Sequence, residues 1–357
     1  MRLLTLALAA TALLSLTPRM AMAQTIGIVT PMSEAVALLG EQMKQGAEIA
    51  AARLDVAPAN LRFADDQCSA EGGAAAAEAL VSQGVQVVVG FLCTEAIEAA
   101  LPIFKHTGIA VITPAVRTNS LTDRRDRTGW PVFRMAPRAD AEMEATARYL
   151  VPRWRDELFA LVDDGTIYGR EFTESFRLAA ETAGLKAVFV DTYRPQMDNQ
   201  IGLVARLRRA GATHALVGGD RVDVAIMGRD AAGLDYELTI AAGETLRAAP
   251  DDVPLAPGTL MIGLPEPADI ASPEALSAFA EREIIPEGYM LPTYAAVEVA
   301  VRAMIEAETG SKTIGEVLAA QSFQTALGSV SFDEKGDLAQ NPYRLFRYDG
   351  ETFVEVE

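Results

Sequence analysis

The chain has two cysteines, Cys68 and Cys93, and each stands just beyond a short apolar run that reads as a strand, at 60–64 and at 85–92 (VQVVVGFL). Carboxyl ends of strands in one sheet lie close together, so the two sulfurs can meet. In an oxidising compartment they would form a disulfide; the alternative is two buried free thiols. Thr94 follows Cys93 where a helix begins, and after that helix a second apolar run, 109–112, leads into Thr113-Pro114-Ala115 and Arg117. Two strands joined by a crossover helix are parallel, and open α/β sheets bind ligands beyond the carboxyl ends of their strands. Thr94, Ala115 and Arg117 should therefore line one crevice. Helix N-terminal N–H groups and a planar guanidinium are donors suited to a carboxylate.

The compartment is indicated by the first residues. Arg2 supplies a positive start, residues 3–16 an apolar stretch, and Ala21-Met22-Ala23 a small-residue cleavage pattern, which together predict a secretory leader over 1–23. The apolar stretch is shorter than the ~20 residues of a spanning helix. An exported, periplasmic protein is expected, and with it the disulfide.

Of 357 residues, 22% are charged and the formal net charge is −18, more negative still once Arg2 and Arg19 leave with the leader. Such a balance argues against a nucleic-acid partner, which needs a basic face. His106 and His214 have no cysteine or acid at ligand spacing, so neither metal nor cofactor is expected. The mature length exceeds the ~250–300 residues at which single cores stop growing, and two lobes are predicted.

The elements that position the crevice residues follow a β-α rhythm. Strands are expected at 25–29, 60–64, 85–92 and 109–112, with helices at about 39–54 and 72–83. The run at 123–129 (DRRDRTG) is wholly polar and reads as a solvated loop leaving the first lobe. An extended segment at 132–135 and a helix at 140–154 come next. The rhythm then restarts, with strands at 159–162, 187–190, 214–217 and 238–241 and helices at 170–183, 200–209 and 222–232. A strand or crossover at 261–264, a long alanine-rich helix at 292–309, and a C-terminal hairpin pairing 330–332 with 343–348 complete the reading.

The order of elements, with Pro31-Met32-Ser33, the cysteine pair, Gly90-Phe91-Leu92-Cys93-Thr94, Thr113-Pro114-Ala115, Tyr168-Gly169, Gly218-Gly219 and Phe332-Asp333-Glu334-Lys335-Gly336-Asp337, resembles the periplasmic leucine/isoleucine/valine-binding protein family, the type I solute receptors of ABC importers. The resemblance covers nearly the whole mature chain. It implies an α/β fold of two doubly wound parallel-sheet lobes joined by a three-strand hinge, with crossings near 134–139, 262–265 and 327–330. The lobes would be 24–135 with 265–328, and 136–264 with 329–357. It also implies a monomer that holds a small-molecule ligand, an amino acid or related carboxylate, between the lobes and hands it to an ABC permease in the inner membrane.

By the same resemblance, Thr94 matches a hydroxyl that binds the ligand carboxylate, Ala115 a backbone carbonyl accepting from the ammonium, Tyr168 a second-lobe tyrosine at the cleft, and Glu244 the acid pairing with the ammonium. Arg117 stands where a threonine is common, Leu39 where an aromatic is found, and Asp220 where the second lobe often offers an aromatic. With Asp220 and Glu244 on the second wall, the far end of the ligand is expected to be polar or cationic, so that polar or basic amino acids compete better than leucine, isoleucine or valine.

No enzyme is expected. The chain has no G-x-S-x-G elbow and no Walker A run, and neither histidine has a placed nucleophile. Asp220 and Glu244 are the one carboxylate pair a hydrolase reading would use, but 6% aromatic residues is low for a sugar-binding cleft. A ligand-sensing module reporting to a receptor or regulator would use the same fold and is the alternative function.

Overall fold

The structure, a computed structural model, describes residues 25–356; the leader at 1–23 lies outside the described residues. Valine- and isoleucine-rich runs with both faces covered form the first sheet, from β1 (Ile26–Thr30), β2 (Leu61–Asp65), β3 (Val87–Gly90), β4 (Ala110–Thr113) and β5 (Val132–Arg134). They are all parallel, in the order β2-β1-β3-β4-β5. Period-two alternation sorts their side chains into two cores. Ile26, Ile28, Val87 and Val89 enter one, while Val29, Val88 and Val111 enter the other.

The second sheet repeats the plan with β6 (Phe159–Asp163), β7 (Phe189–Thr192), β8 (His214–Gly218), β9 (Thr239–Ala242) and β10 (Leu260–Gly263). Its parallel part runs β7-β6-β8-β9-β10. In both sheets the strand order reverses beside the first strand of the set, which leaves a crevice at the carboxyl ends. Cores line both faces of this sheet as well.

After β10 the chain returns to the first sheet. Helix Met290–Gly310 has most of its side chains buried, and Tyr294, Val297 and Ala300 share a core with Ile28 and Val89. A hairpin, β11 (Phe323–Thr325) with β12 (Gly328–Val330), ends in that same core, which also holds Phe332. The chain then enters the second sheet as β13 (Arg344–Tyr348), antiparallel to β10, followed by β14 (Phe353–Glu355) at the edge.

Two expectations fail here. The predicted hairpin of 330–332 with 343–348 does not form: Val330 pairs with Phe323, and Arg344–Tyr348 pairs with β10 and β14. The alternation was real, but each run found a partner in a different sheet. Phe332 lies in the core of the first sheet, so the chain is still packed there beyond 327–330. The polar run at 123–129 is solvated, with Asp123, Arg124, Asp126, Arg127 and Gly129 exposed, but it is not a loop throughout. It contains the short helix Arg125–Thr128, stopped by left-handed Gly129, and Arg125 donates to the carbonyls of Val132 and, at 3.0 Å, Lys335.

The first and last crossings are tied by a buried network. Arg134, with no exposed surface, donates through Nε (2.8 Å) and Nη2 (2.5 Å) to Asp337 and through Nη1 to the Thr118 carbonyl (2.6 Å). Arg138 takes the other Asp337 oxygen at 3.0 Å.

Candidate functional site

The first wall is set by the turn after β3. Phe91 is fully buried with φ of 67°, a left-handed conformation rare for a large side chain and one that clusters at functional turns. Its N–H bonds the Val29 carbonyl (2.9 Å) and its carbonyl accepts from Thr113 Oγ1 (3.3 Å). The turn brings Cys93 to Cys68, and the two are disulfide-bonded with Cα atoms 5.2 Å apart. Helices Ala70–Ser82 and Thr94–Thr107 approach so closely here that a Cβ on Gly73 would overlap the Ala96 backbone.

Thr94 opens its helix without capping it; Cys93 is the N-cap residue. Its hydroxyl instead lies 2.6 Å from that of Thr118. Ala115 is buried at the end of β4, where its N–H faces Thr113 Oγ1 at 3.5 Å. Arg117 leaves this wall and crosses to the other one. Its Nη2 donates to the Tyr343 hydroxyl, its Nη1 lies 3.9 Å from Glu244 Oε2, and its guanidinium carbon is 5.7 Å from the centre of the Tyr343 ring.

The second wall is a chain of tyrosines and carboxylates. Tyr343 donates to Glu244 Oε2 (3.0 Å), and Glu244 Oε1 lies 3.4 Å from the Leu264 N–H. The Glu244 N–H donates to Glu142 Oε1 (2.6 Å), which also accepts from the Tyr168 hydroxyl (3.2 Å). Burial pushes the Glu142 carboxyl above its usual range, opposed by the Glu244 N–H bond and reinforced by the Glu244 charge. Burial, followed by the neighbouring carboxylates, pushes the Tyr168 and Tyr343 hydroxyls far upward, so both stay protonated donors.

Of the residues singled out in sequence, Arg117, Glu244 and Tyr168 thus join one network spanning both walls. Asp220 does not. It is exposed, and its Oδ1 caps helix Arg221–Gly233 by accepting the Asp223 N–H at 3.0 Å. Asp220 is thus engaged as a cap through Oδ1, and Glu244 faces Arg117 at 3.9 Å. Two members of the network escaped the sequence reading. Glu142 looks like an ordinary first-turn acid of helix Ala141–Arg153, and Tyr343 like the apolar start of a strand. Among the described residues no group of acids, histidines or cysteines could hold a metal ion, and no helix is long and apolar enough to cross a membrane.

The profile of a family described as periplasmic binding protein matches residues 23–352. A Leu/Ile/Val-binding protein homolog from Brucella melitensis is 27% identical over 93% of this chain and 93% of its own. The crystal structure of a putative branched-chain amino acid ABC transporter from Rhodospirillum rubrum superposes with a TM-score of 0.77 at 18% identity, covering 94% of this chain and all of that one. An ABC transporter substrate-binding protein of Desulfitobacterium hafniense, solved in complex with Leu, gives a TM-score of 0.65 at 21% identity over 93% and 99% of the two chains.

Proposed function

The chain belongs to the periplasmic binding protein family, and from that premise we propose that it is the solute receptor of an ABC importer. It captures a small amino acid or related carboxylate between its two halves and delivers it to a permease in the inner membrane, without doing chemistry on it. The lobes are taken as 24–135 with 265–328 and 136–264 with 329–357; the place of Phe332 in the first core supports a last boundary a few residues later. Export by the leader at 1–23 and a monomeric state complete the proposal.

The observation that carries this reading is the reach of Arg117 from the end of β4 to Tyr343 and Glu244 on the opposite wall. Groups from both walls converge where a bound solute would touch each. A solute held that way binds the closed form better than the open one and shifts the population toward it, and the closed form is what a permease can distinguish. Thr94, Ala115 and Arg117 would serve the solute from the first wall, and Tyr168 and Glu244 from the second. Asp220 is left to its capping role.

A thermal-shift screen of ligand-stripped protein over amino acids and small organic acids tests the proposal. A ligand at 100 times its dissociation constant stabilises by about 2.7 kcal/mol, which is readily seen as a raised midpoint. A panel in which no compound raises the midpoint would overturn it.

A further inference from the structure

Resting on the solute-receptor reading above, we infer that Thr118 is a positioning residue for solute capture: its hydroxyl donates to that of Thr94 and so turns the Thr94 proton toward a carboxylate in the cleft. The two oxygens are 2.6 Å apart, and either can be the donor. A hydroxyl has one proton and two lone pairs, whereas an ionised carboxylate only accepts. If Thr94 spends its proton on Thr118, it has none for the solute. If it gives that proton to the solute, Thr118 must fill the short contact with its own. Only the second arrangement lets Thr94 act. In it the two bonds run head to tail and polarise one another.

What holds Thr118 in place is the main chain around it. Its carbonyl accepts from Arg134 Nη1 at 2.6 Å and from the Leu121 N–H at 3.2 Å. Arg134 is fixed in turn on Asp337. The flanking residues are tied to the same crossing, since the Ala139 N–H reaches the Arg117 carbonyl at 2.8 Å and Asn119 Oδ1 at 3.1 Å. Ser120 donates to Glu98 at 3.4 Å, one turn beyond Thr94 on helix Thr94–Thr107.

The segment at 117–120 is therefore bonded both to the helix that carries Thr94 and to the first crossing. Its side chains divide the work. Arg117 reaches the opposite wall, and Thr118 turns to the helix start. Both threonines are only half-buried, so the pair remains within reach of a solute.

Calorimetric titration and stopped-flow binding of ligand-stripped protein test this, with the common L-amino acids, pyruvate and benzoate as probes; the probe that the native protein binds tightest is carried through the variants. Thr118→Val keeps the β-branched shape and the carbonyl bonds but loses the hydroxyl. Its affinity should fall roughly fivefold, the net worth of one hydrogen bond, through faster dissociation, while Thr118→Ser stays within about twofold of native. Thr94→Val should lose at least as much, and the double variant no more than Thr94→Val alone, because the Thr118 hydroxyl acts through Thr94. Native affinity in Thr118→Val beside a weakened Thr94→Val would overturn the inference, and a lowered unfolding midpoint there would leave Thr118 a structural part only. Additive losses would overturn it too, by showing that Thr118 touches the solute itself. Native affinity in both single variants would take Thr94 off the solute and sink the inference while capture itself stands. Binding of no probe would overturn both.

Discussion

Arg134 places two nitrogens on a single oxygen of Asp337, at 2.8 and 2.5 Å, with both side chains almost wholly buried. The two residues lie on different crossings between the sheets, so the pair fixes one connecting segment against another. Removing one partner of a buried ion pair typically costs about 3–5 kcal/mol, because the other charge is stranded. Asp337→Asn should therefore lower the unfolding free energy by about that much in urea titration, and Arg134→Met combined with Asp337→Leu should recover part of the loss. A cost below about 1 kcal/mol for Asp337→Asn would show that Arg134 finds another partner.

Cys68 and Cys93 are bonded across a sequence separation of 25, which in the chain-entropy picture stabilises by roughly 3.5 kcal/mol. Thiol titration of the denatured, unreduced protein should find no free thiol. Replacing both cysteines by serine should lower the denaturation midpoint accordingly, and an unchanged midpoint would mean that close packing of the flanking helices is sufficient.

Asp223 makes stability depend on pH. It is 1% exposed, its carboxylate accepts from the Gln196 N–H (3.0 Å) and the Tyr193 hydroxyl (3.4 Å), and Asp220 and Asp164 face it. Burial first, and then the Asp220 charge, raise its pKa to about 6. The folded state thus holds a proton that the unfolded state, with a pKa of about 3.9, releases. Stability from this group is full below that lower value and is lost as pH rises through about 6, by at most roughly 3 kcal/mol. Asp223→Asn should flatten this slope in unfolding measured from pH 4 to 7. A slope equal to that of the native protein would assign the dependence to other groups.

Glu142 supports Glu244 from below. Glu142→Gln keeps an acceptor for the Glu244 N–H and should cost less than about 1 kcal/mol, whereas Glu142→Ala leaves that N–H and the Tyr168 hydroxyl unpaired, at about 1–3 kcal/mol for each buried group. Similar losses in the two variants would argue that water replaces the carboxylate.

The sheet strands were legible because a strand buried on both faces is written as a near-continuous β-branched run, and the main helices because alanine-rich periodic stretches end at glycine or polar residues. Helix Met290–Gly310 was anticipated to within two residues at its N-terminus. What escaped depended on contacts distant in sequence. Val330 and Arg344 carry the same alternation whichever strand they pair with, so period alone could not assign their partners. Asp220 and Glu142 are both acids at helix starts. The first proved to be a solvent-facing cap and the second a buried acceptor, a difference created at Glu142 by Tyr168, 26 positions on, and Glu244, 102 positions on.

The shared core of Ile26, Ile28, Val87 and Val89 with Tyr294, Val297 and Phe332 sets an order on biosynthesis. The strands made first have that face covered only in part, by Ala47, Ile49 and Ala50, until the segment at 290–332 emerges, so the earliest half of the polypeptide waits on nearly the latest. A chain truncated at 289 would lose Tyr294, Val297, Ala300 and Phe332 from that core. Completion of that half from its own N-terminus alone is ruled out by the path of the chain.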